Sequence, residues 1–146
     1  MREIWSTMIL LLLLPLPYAQ AAEVITLTQS ACQIIEVEAD TVHFKADSAD
    51  ACAAVNEKTG ELRLQRAIAL RLKAGDYIFR VSNRDVPYAL GFWLRGAGLS
   101  RYALPSTSGG GLHTGATKDY RVSLEAGEYR YSCPLNPTPD YLLIVE

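Results

Sequence analysis

An all-β sandwich or barrel is the fold class this sequence predicts, and three observations predict it. About seven or eight short β-rich segments follow one another, each closed by a turn signal at regular spacing. The clearest, "YIFRVSN" (77–83), alternates apolar and polar residues with the period of two that marks a half-buried strand. Only one stretch, 47–58, carries the caps and composition of a helix.

In chain order, residues 1–22 read as a secretory signal peptide. Arg2 gives a positive start and Met8 to Leu14 an unbroken apolar run. Pro15 and Pro17 end that run, and Ala19-Gln20-Ala21 is a small-x-small cleavage site. The run is well short of the roughly 20 apolar residues a spanning helix takes, and no later stretch is long enough to span. The expectation is cleavage near Ala22, a single domain over 23–146, and a periplasmic location.

Val24 to Thr28 is rich in β-branched residues and opens the domain, and Gln33 to Glu38 resumes the strand pattern after a break at Cys32. "DSADACAAVNEK" (47–58) reads as a helix inserted between strands. Asp47 or Ser48 caps it, Asp50 complements its dipole, and Gly60 follows its end. Leu70 and Leu72 then alternate against Arg71 and Lys73, and "KAGD" (73–76) is a tight turn. "VPYALGFWL" (86–94) is largely apolar and suits an inner strand. "SRYALPSTSGGGLHTGATKD" (100–119) is too rich in Gly and Ser for regular structure, so a long loop is predicted. "YRVSL", "EYRYSC" and "YLLIVE" supply the closing strands. "KAGDY" and "EAGEY" share the pattern x-Ala-Gly-acid-Tyr and predict equivalent hairpin corners on the two sheets.

Fourteen basic and 16 acidic residues leave a net charge of −2. That mixed, near-neutral balance argues against nucleic acid and against a polybasic membrane contact. No enzyme constellation stands out. Ser106, Ser108, His113 and Asp119 share one loop, but no strand-to-helix elbow presents a nucleophile. There is no paired-carboxylate strand, no phosphate loop and no dinucleotide fingerprint, so the expectation is a protein that is not an enzyme.

Two sandwich families offer comparisons. An immunoglobulin-like reading would place Tyr131 as a corner tyrosine two residues before Cys133, Trp93 as the core tryptophan, and Cys32 in a disulfide. The helix between Cys32 and Trp93 spoils its spacing. "AGDYIFRVSNRDVPYALGF" and "LEAGEYRYSCPLNP" resemble the cupredoxins instead. Asn83, Pro87 and Cys133 match that pattern, Tyr88 stands where the first copper histidine would be, and no histidine follows Cys133. With "ITLTQSACQIIEVE", these stretches are similar to the cupredoxin-like domain of the periplasmic iron-uptake component EfeO. The likeness covers most of 23–146 except roughly 40–66 and the Gly-rich loop. It implies a Greek-key cupredoxin-like β-sandwich, into which the short helix read over 47–58 is inserted, and an early cysteine paired with a late one. That family carries acidic residues near its proposed metal site where this chain has Gly91 and Trp93.

The candidate site residues are sulfur. Both methionines, Met1 and Met8, lie in the leader, which leaves His43, His113, Cys32, Cys52 and Cys133 as soft or imidazole ligands. An exported chain with an odd number of cysteines predicts one disulfide and one thiol left over. Either Cys32 bonds Cys133, as the resemblance implies, and Cys52 is free, or Cys32 bonds Cys52 and Cys133 is free. The other expectation is a soft metal ion held by Cys133 with Cys32, and with Cys52 or His113, copper being the candidate cofactor. Two function classes follow: an accessory in copper or iron handling, or a metal-free, disulfide-stapled module that binds a periplasmic protein partner through the Tyr88–Trp93 end.

Overall fold

The computed structural model describes residues 21–146, so the predicted leader lies outside the described residues but for its last two. Nine strands and one helix follow: β1 (Glu23–Ser30), β2 (Gln33–Ile34), α1 (Ala49–Arg66), β3 (Leu70–Leu72), β4 (Gly75–Asn83), β5 (Leu90–Gly96), β6 (Thr107–Leu112), β7 (Thr117–Leu124), β8 (Gly127–Ser132) and β9 (Tyr141–Val145). One sheet runs β2-β1-β4-β7 and the other β3-β9-β8-β5-β6. β1 lies parallel to β4 and β3 parallel to β9, and the remaining pairs are antiparallel. This is an all-β sandwich of two sheets with one inserted helix. Among the described residues no helix is long and apolar enough to cross a membrane.

The core sits between the sheets and contains several packed aromatic rings. Phe92 lies 5.6 Å from Phe79, 5.2 Å from Tyr120 and 6.3 Å from Tyr131, centroid to centroid, and Tyr131 lies 5.6 Å from Tyr141. These spacings fall in the range of favourable aromatic pairs. Period-two alternation places Phe79 and Val81 inward while Arg80 faces solvent. Trp93 is 40% exposed on the outer face of β5, with the Arg95 guanidinium 4.0 Å from its centroid. It is not a core tryptophan. Tyr131 is buried with its hydroxyl unpartnered, so it is not the corner tyrosine either.

The corners are Tyr77 and Tyr129. Each hydroxyl donates to the carbonyl four residues back, Tyr77 to Lys73 at 3.0 Å and Tyr129 to Glu125 at 2.9 Å. "KAGDY" and "EAGEY" therefore share their chemistry as expected. They are crossings from one sheet to the other, β3 to β4 and β7 to β8, and not hairpins. The tyrosine ring stays in the core while its hydroxyl ties down the bend.

Three other expectations are corrected. The strand over 33–38 stops at Ile34, and a 3-10 turn (Ile35–Val37) follows. The helix runs past Gly60 to Arg66. A glycine inside a helix costs about 1 kcal/mol against alanine, and here tertiary bonds hold the extra turns. Arg63 donates to the Cys32 carbonyl at 2.8 Å and pairs with the buried carboxylate of Glu38, which also accepts from the Tyr141 hydroxyl. Ser48 is the N-cap, accepting from the Ala51 amide. Finally, the Gly-rich stretch forms edge strand β6. A Cβ on Gly91 would lie 2.7 Å from the Gly109 carbonyl oxygen, and one on Gly109 would lie 3.1 Å from the Tyr120 ring. The glycines let β6 lie close against β5 and the Tyr120 ring.

Candidate functional site at the cysteine end

β8 ends at Ser132 and delivers Cys133 into a loop that Pro134, Pro137 and Pro139 keep out of the ladder until β9 begins. Cys133 is 1% exposed. Its sulfur accepts from the Gly91 amide at 3.4 Å and the Asn136 amide at 3.2 Å, and its own amide donates to Thr138 Oγ1 at 3.1 Å. Burial pushes the thiol up from its ordinary value. The amides of Gly91, Asn136 and Leu135 and the side chain of Gln29 oppose that without reversing it. Cys133 is thus a neutral thiol near pH 7, and a poor nucleophile.

Cys32 and Cys52 form the disulfide. Of the two pairings left open, this is the one that leaves Cys133 free, and the Cys32–Cys133 bridge implied by the resemblance is not made. Cys32 sits in the β1–β2 turn with φ of 66°, and α1 brings Cys52 to it in its first turn. Asn136 ties this turn to the Cys133 loop. Its Oδ1 accepts from the Cys32 amide at 2.8 Å and lies 3.2 Å from the Cys52 sulfur, while its Nδ2 donates to the Ser30 carbonyl at 2.9 Å. One fully buried asparagine therefore touches all three cysteines.

The remaining candidates do not join them. His113 lies in the exposed turn between β6 and β7, and His43 is exposed ahead of α1. Tyr88 is half-buried, and its hydroxyl is enclosed and unpartnered. Burial, then Cys133 and Asp47, push its phenol upward. Asn83, matching the pattern's asparagine, organises the loop ahead of β5. Its Nδ2 faces the carbonyls of Val86, Tyr88 and Leu112 at 3.1–3.2 Å, and its Oδ1 accepts from the Val86 amide at 2.9 Å. That is why β5 starts at Leu90 and not near Val86.

A blue-copper centre takes two imidazoles, a thiolate and a weak axial ligand. The residues here do not fit one. Two amides already donate to the thiol, both histidines are at the surface, and two of the three sulfurs are bonded to each other. Among the described residues no cluster of three or more His, Cys, Asp and Glu side chains is placed to hold a metal ion.

Outside this buried cluster lies a shallow groove of about 360 Å³, lined by Gly91, Trp93, Ser108, Gly110, Pro134 and Leu135. Trp93 and Leu135, 46% exposed, form its walls. Of the predicted partner-binding pair, Trp93 is thus presented to solvent, and the Tyr88 hydroxyl is turned inward.

Asn136, Gln29 and Leu135 are the residues that sequence reasoning missed. Gln29 had a signal: it shares a strand face with buried Leu27, two residues away, so period two places it inside. Its Nε2 donates to the Gly91 carbonyl at 2.8 Å, and its Oε1 is buried and unpartnered. Asn136 and Leu135 lie in an irregular proline-rich loop, where no periodicity indicates which side chains turn inward.

No protein-family model matches the chain, and no curated protein matches it. Among solved structures it is similar to auracyanin A, a "blue" copper protein from the green thermophilic photosynthetic bacterium Chloroflexus aurantiacus. That likeness has a TM-score of 0.46 and 12% identity, and covers 86% of this chain and 100% of that one. It is also similar to a reduced Cu(I) form of an amicyanin variant, with a TM-score of 0.37 and 15% identity over 89% of this chain and 87% of that one. A second amicyanin variant in the Cu(I) state has a TM-score of 0.36 and 21% identity over 53% of this chain and 69% of that one.

Proposed function

We propose that this chain is an exported, non-catalytic cupredoxin-like module that works in the periplasm by binding a partner protein through the groove between Trp93 and Leu135. The observation that carries this reading is the exposure of those two side chains over an otherwise well-packed sandwich end. Trp in a shallow apolar cleft is the type of residue around which protein interfaces concentrate their binding energy. Arg95 stacks on the Trp93 ring and is itself held by Asp140 at 2.8 Å and Ser132 at 3.2 Å, so the indole is presented in one orientation. Such preorganisation lowers the entropy cost of docking. The disulfide and the Asn136 clamp hold the cysteine end behind the groove.

The test is site-specific photo-crosslinking from Ser108, inside the groove, in cells of the natural host. A discrete adduct that disappears when Trp93→Ala and Leu135→Ser are introduced together supports the reading. Adducts indifferent to both substitutions, in a protein that still melts as the parent does, overturn it.

A second reading, handling of copper or iron through the cysteines, is favoured by one observation: all three cysteines lie against Asn136.

A further inference from the structure

We propose that the groove between α1 and the segment ahead of it binds a short aliphatic carboxylate, its chain lying between Val42, Phe44 and Leu62 and its head meeting Lys58. The site is independent of the Trp93 groove and of the cysteines. On α1, Lys58, Leu62 and Arg66 recur every four residues and so form one stripe along the helix. Val42 and Phe44 face that stripe from residues 39–46. Both walls are held by groups other than a ligand. Buried Gln33 clamps Val42, its Nε2 donating to the Val42 carbonyl and its Oε1 accepting from the Val42 amide at 3.4 Å. The Arg63 guanidinium lies 4.8 Å from the Phe44 ring centroid, and is fixed by Glu38, by Asn56 Oδ1 at 2.7 Å and by the Cys32 carbonyl. A site formed before its ligand arrives loses less ordering entropy on binding.

The space between the walls is about 330 Å³, near the lower end of the roughly 300–1,000 Å³ of small-molecule sites. Leu62 is 59% exposed and Val42 42%. One exposed apolar side chain is ordinary, but two that face a common groove rimmed with charges mark a place for an apolar ligand. The charges decide its polar end. Glu38 pairs with Arg63, and Asp40 with Arg66 at 2.6 Å. Both carboxylates that line the groove are thus neutralised. Lys58 also lines it and, among the described residues, enters no ion pair. Its helix neighbours Glu57 and Glu61 do not line the groove. The groove therefore keeps one uncompensated ammonium, about one helical turn from the Leu62 side chain. A carboxylate on a short alkyl chain meets both features at once. A lysine is a point charge on a flexible stem, so it follows the head without demanding one geometry.

The experiment titrates nitrogen-15-labelled protein with octanoate and, separately, with octylammonium, following the backbone amide shifts. The two probes share a chain and differ in the sign of the head. Octanoate should saturate a single site and move the amides of residues 39–46 and 58–66. The parent should hold it at least about threefold more tightly than octylammonium, the size of an exposed charge pair, and this comparison needs no variant to fold. Lys58→Gln should abolish that preference. Leu62→Ser should weaken both probes by about fivefold, the worth of burying part of a leucine. Lys58 and Leu62 are both exposed, so neither substitution removes a core contact, and both variants should melt as the parent does. Shifts that do not saturate, shifts that gather at Trp93 and Leu135 instead, equal affinity for the two probes in the parent, or full affinity in Leu62→Ser overturns the inference.

Discussion

Replacing Asn136 by alanine tests the connection on which the cysteine end depends. The side chain is fully buried. Its loss strands the Ser30 carbonyl, bonded at 2.9 Å, and the Cys32 amide, bonded at 2.8 Å. A buried polar group left without a partner costs about 1–3 kcal/mol, so the two together cost roughly 2–6 kcal/mol. That is a large share of the about 5–15 kcal/mol that holds a typical domain. The bond from residue 136 to the Cys133 sulfur comes from the backbone and survives the change. The substitution should therefore loosen the β1–β2 turn without freeing the thiol. Urea unfolding under non-reducing conditions gives the number, with Asn136→Ala shifting the midpoint down and leaving the slope unchanged. A loss below about 1 kcal/mol would refute the reasoning, since it would mean that neither stranded group had been buried and bonded through Asn136.

Three further outcomes are expected. Replacing Cys32 and Cys52 together by serine removes a bridge spanning 20 residues, which in the chain-entropy treatment lowers stability by about 3 kcal/mol; thermal melting of oxidised parent and variant measures it. Gly91→Ala puts a methyl 2.7 Å from the Gly109 carbonyl oxygen, backbone against side chain with little room to give, and should cost about 1–3 kcal/mol while disturbing β6, read by urea unfolding and by a shift in Trp93 fluorescence. Because the folded Cys133 thiol titrates above its unfolded value, the unfolded chain loses its proton first as pH rises. Its contribution is full below the ordinary thiol pKa of about 8.5 and is lost as pH climbs through the folded value. Cys133→Ala should flatten that part of the stability profile, and alkylation of folded parent near pH 7 should be far slower than of a free thiol.

The sheets were legible because their signals are periodic. Alternation in β4, the repeated Ala-Gly-acid-Tyr corner and the apolar closing strand each place side chains by a rule that acts over neighbouring residues. The Gly-rich stretch misled for the opposite reason: glycine carries no side chain to alternate, and only contact with Gly91 and Tyr120 makes it a strand. The helix was underrun at Gly60 because the groups that hold its second half, Glu38 and the Cys32 carbonyl, are remote in sequence. The cysteine pairing could not be chosen from composition, since either partner of Cys32 leaves one thiol. Asn136, which arranges the site, has no local signature, being one polar residue among prolines whose partners are about a hundred positions away.

The Ile68 amide donates to the Val37 carbonyl at 2.8 Å, so the chain leaves the sandwich after residue 37 and comes back to the point it left. Everything between is a pendant, and neither sheet draws a strand from it. The entropy of closing such an excursion grows only with the logarithm of its length. Chain entropy therefore sets little limit on the length of this excursion, and what fixes it in place is the set of contacts it returns to the sandwich, from Cys52 to Cys32, from Glu38 to the Tyr141 hydroxyl and from Asn56 to the Pro137 carbonyl.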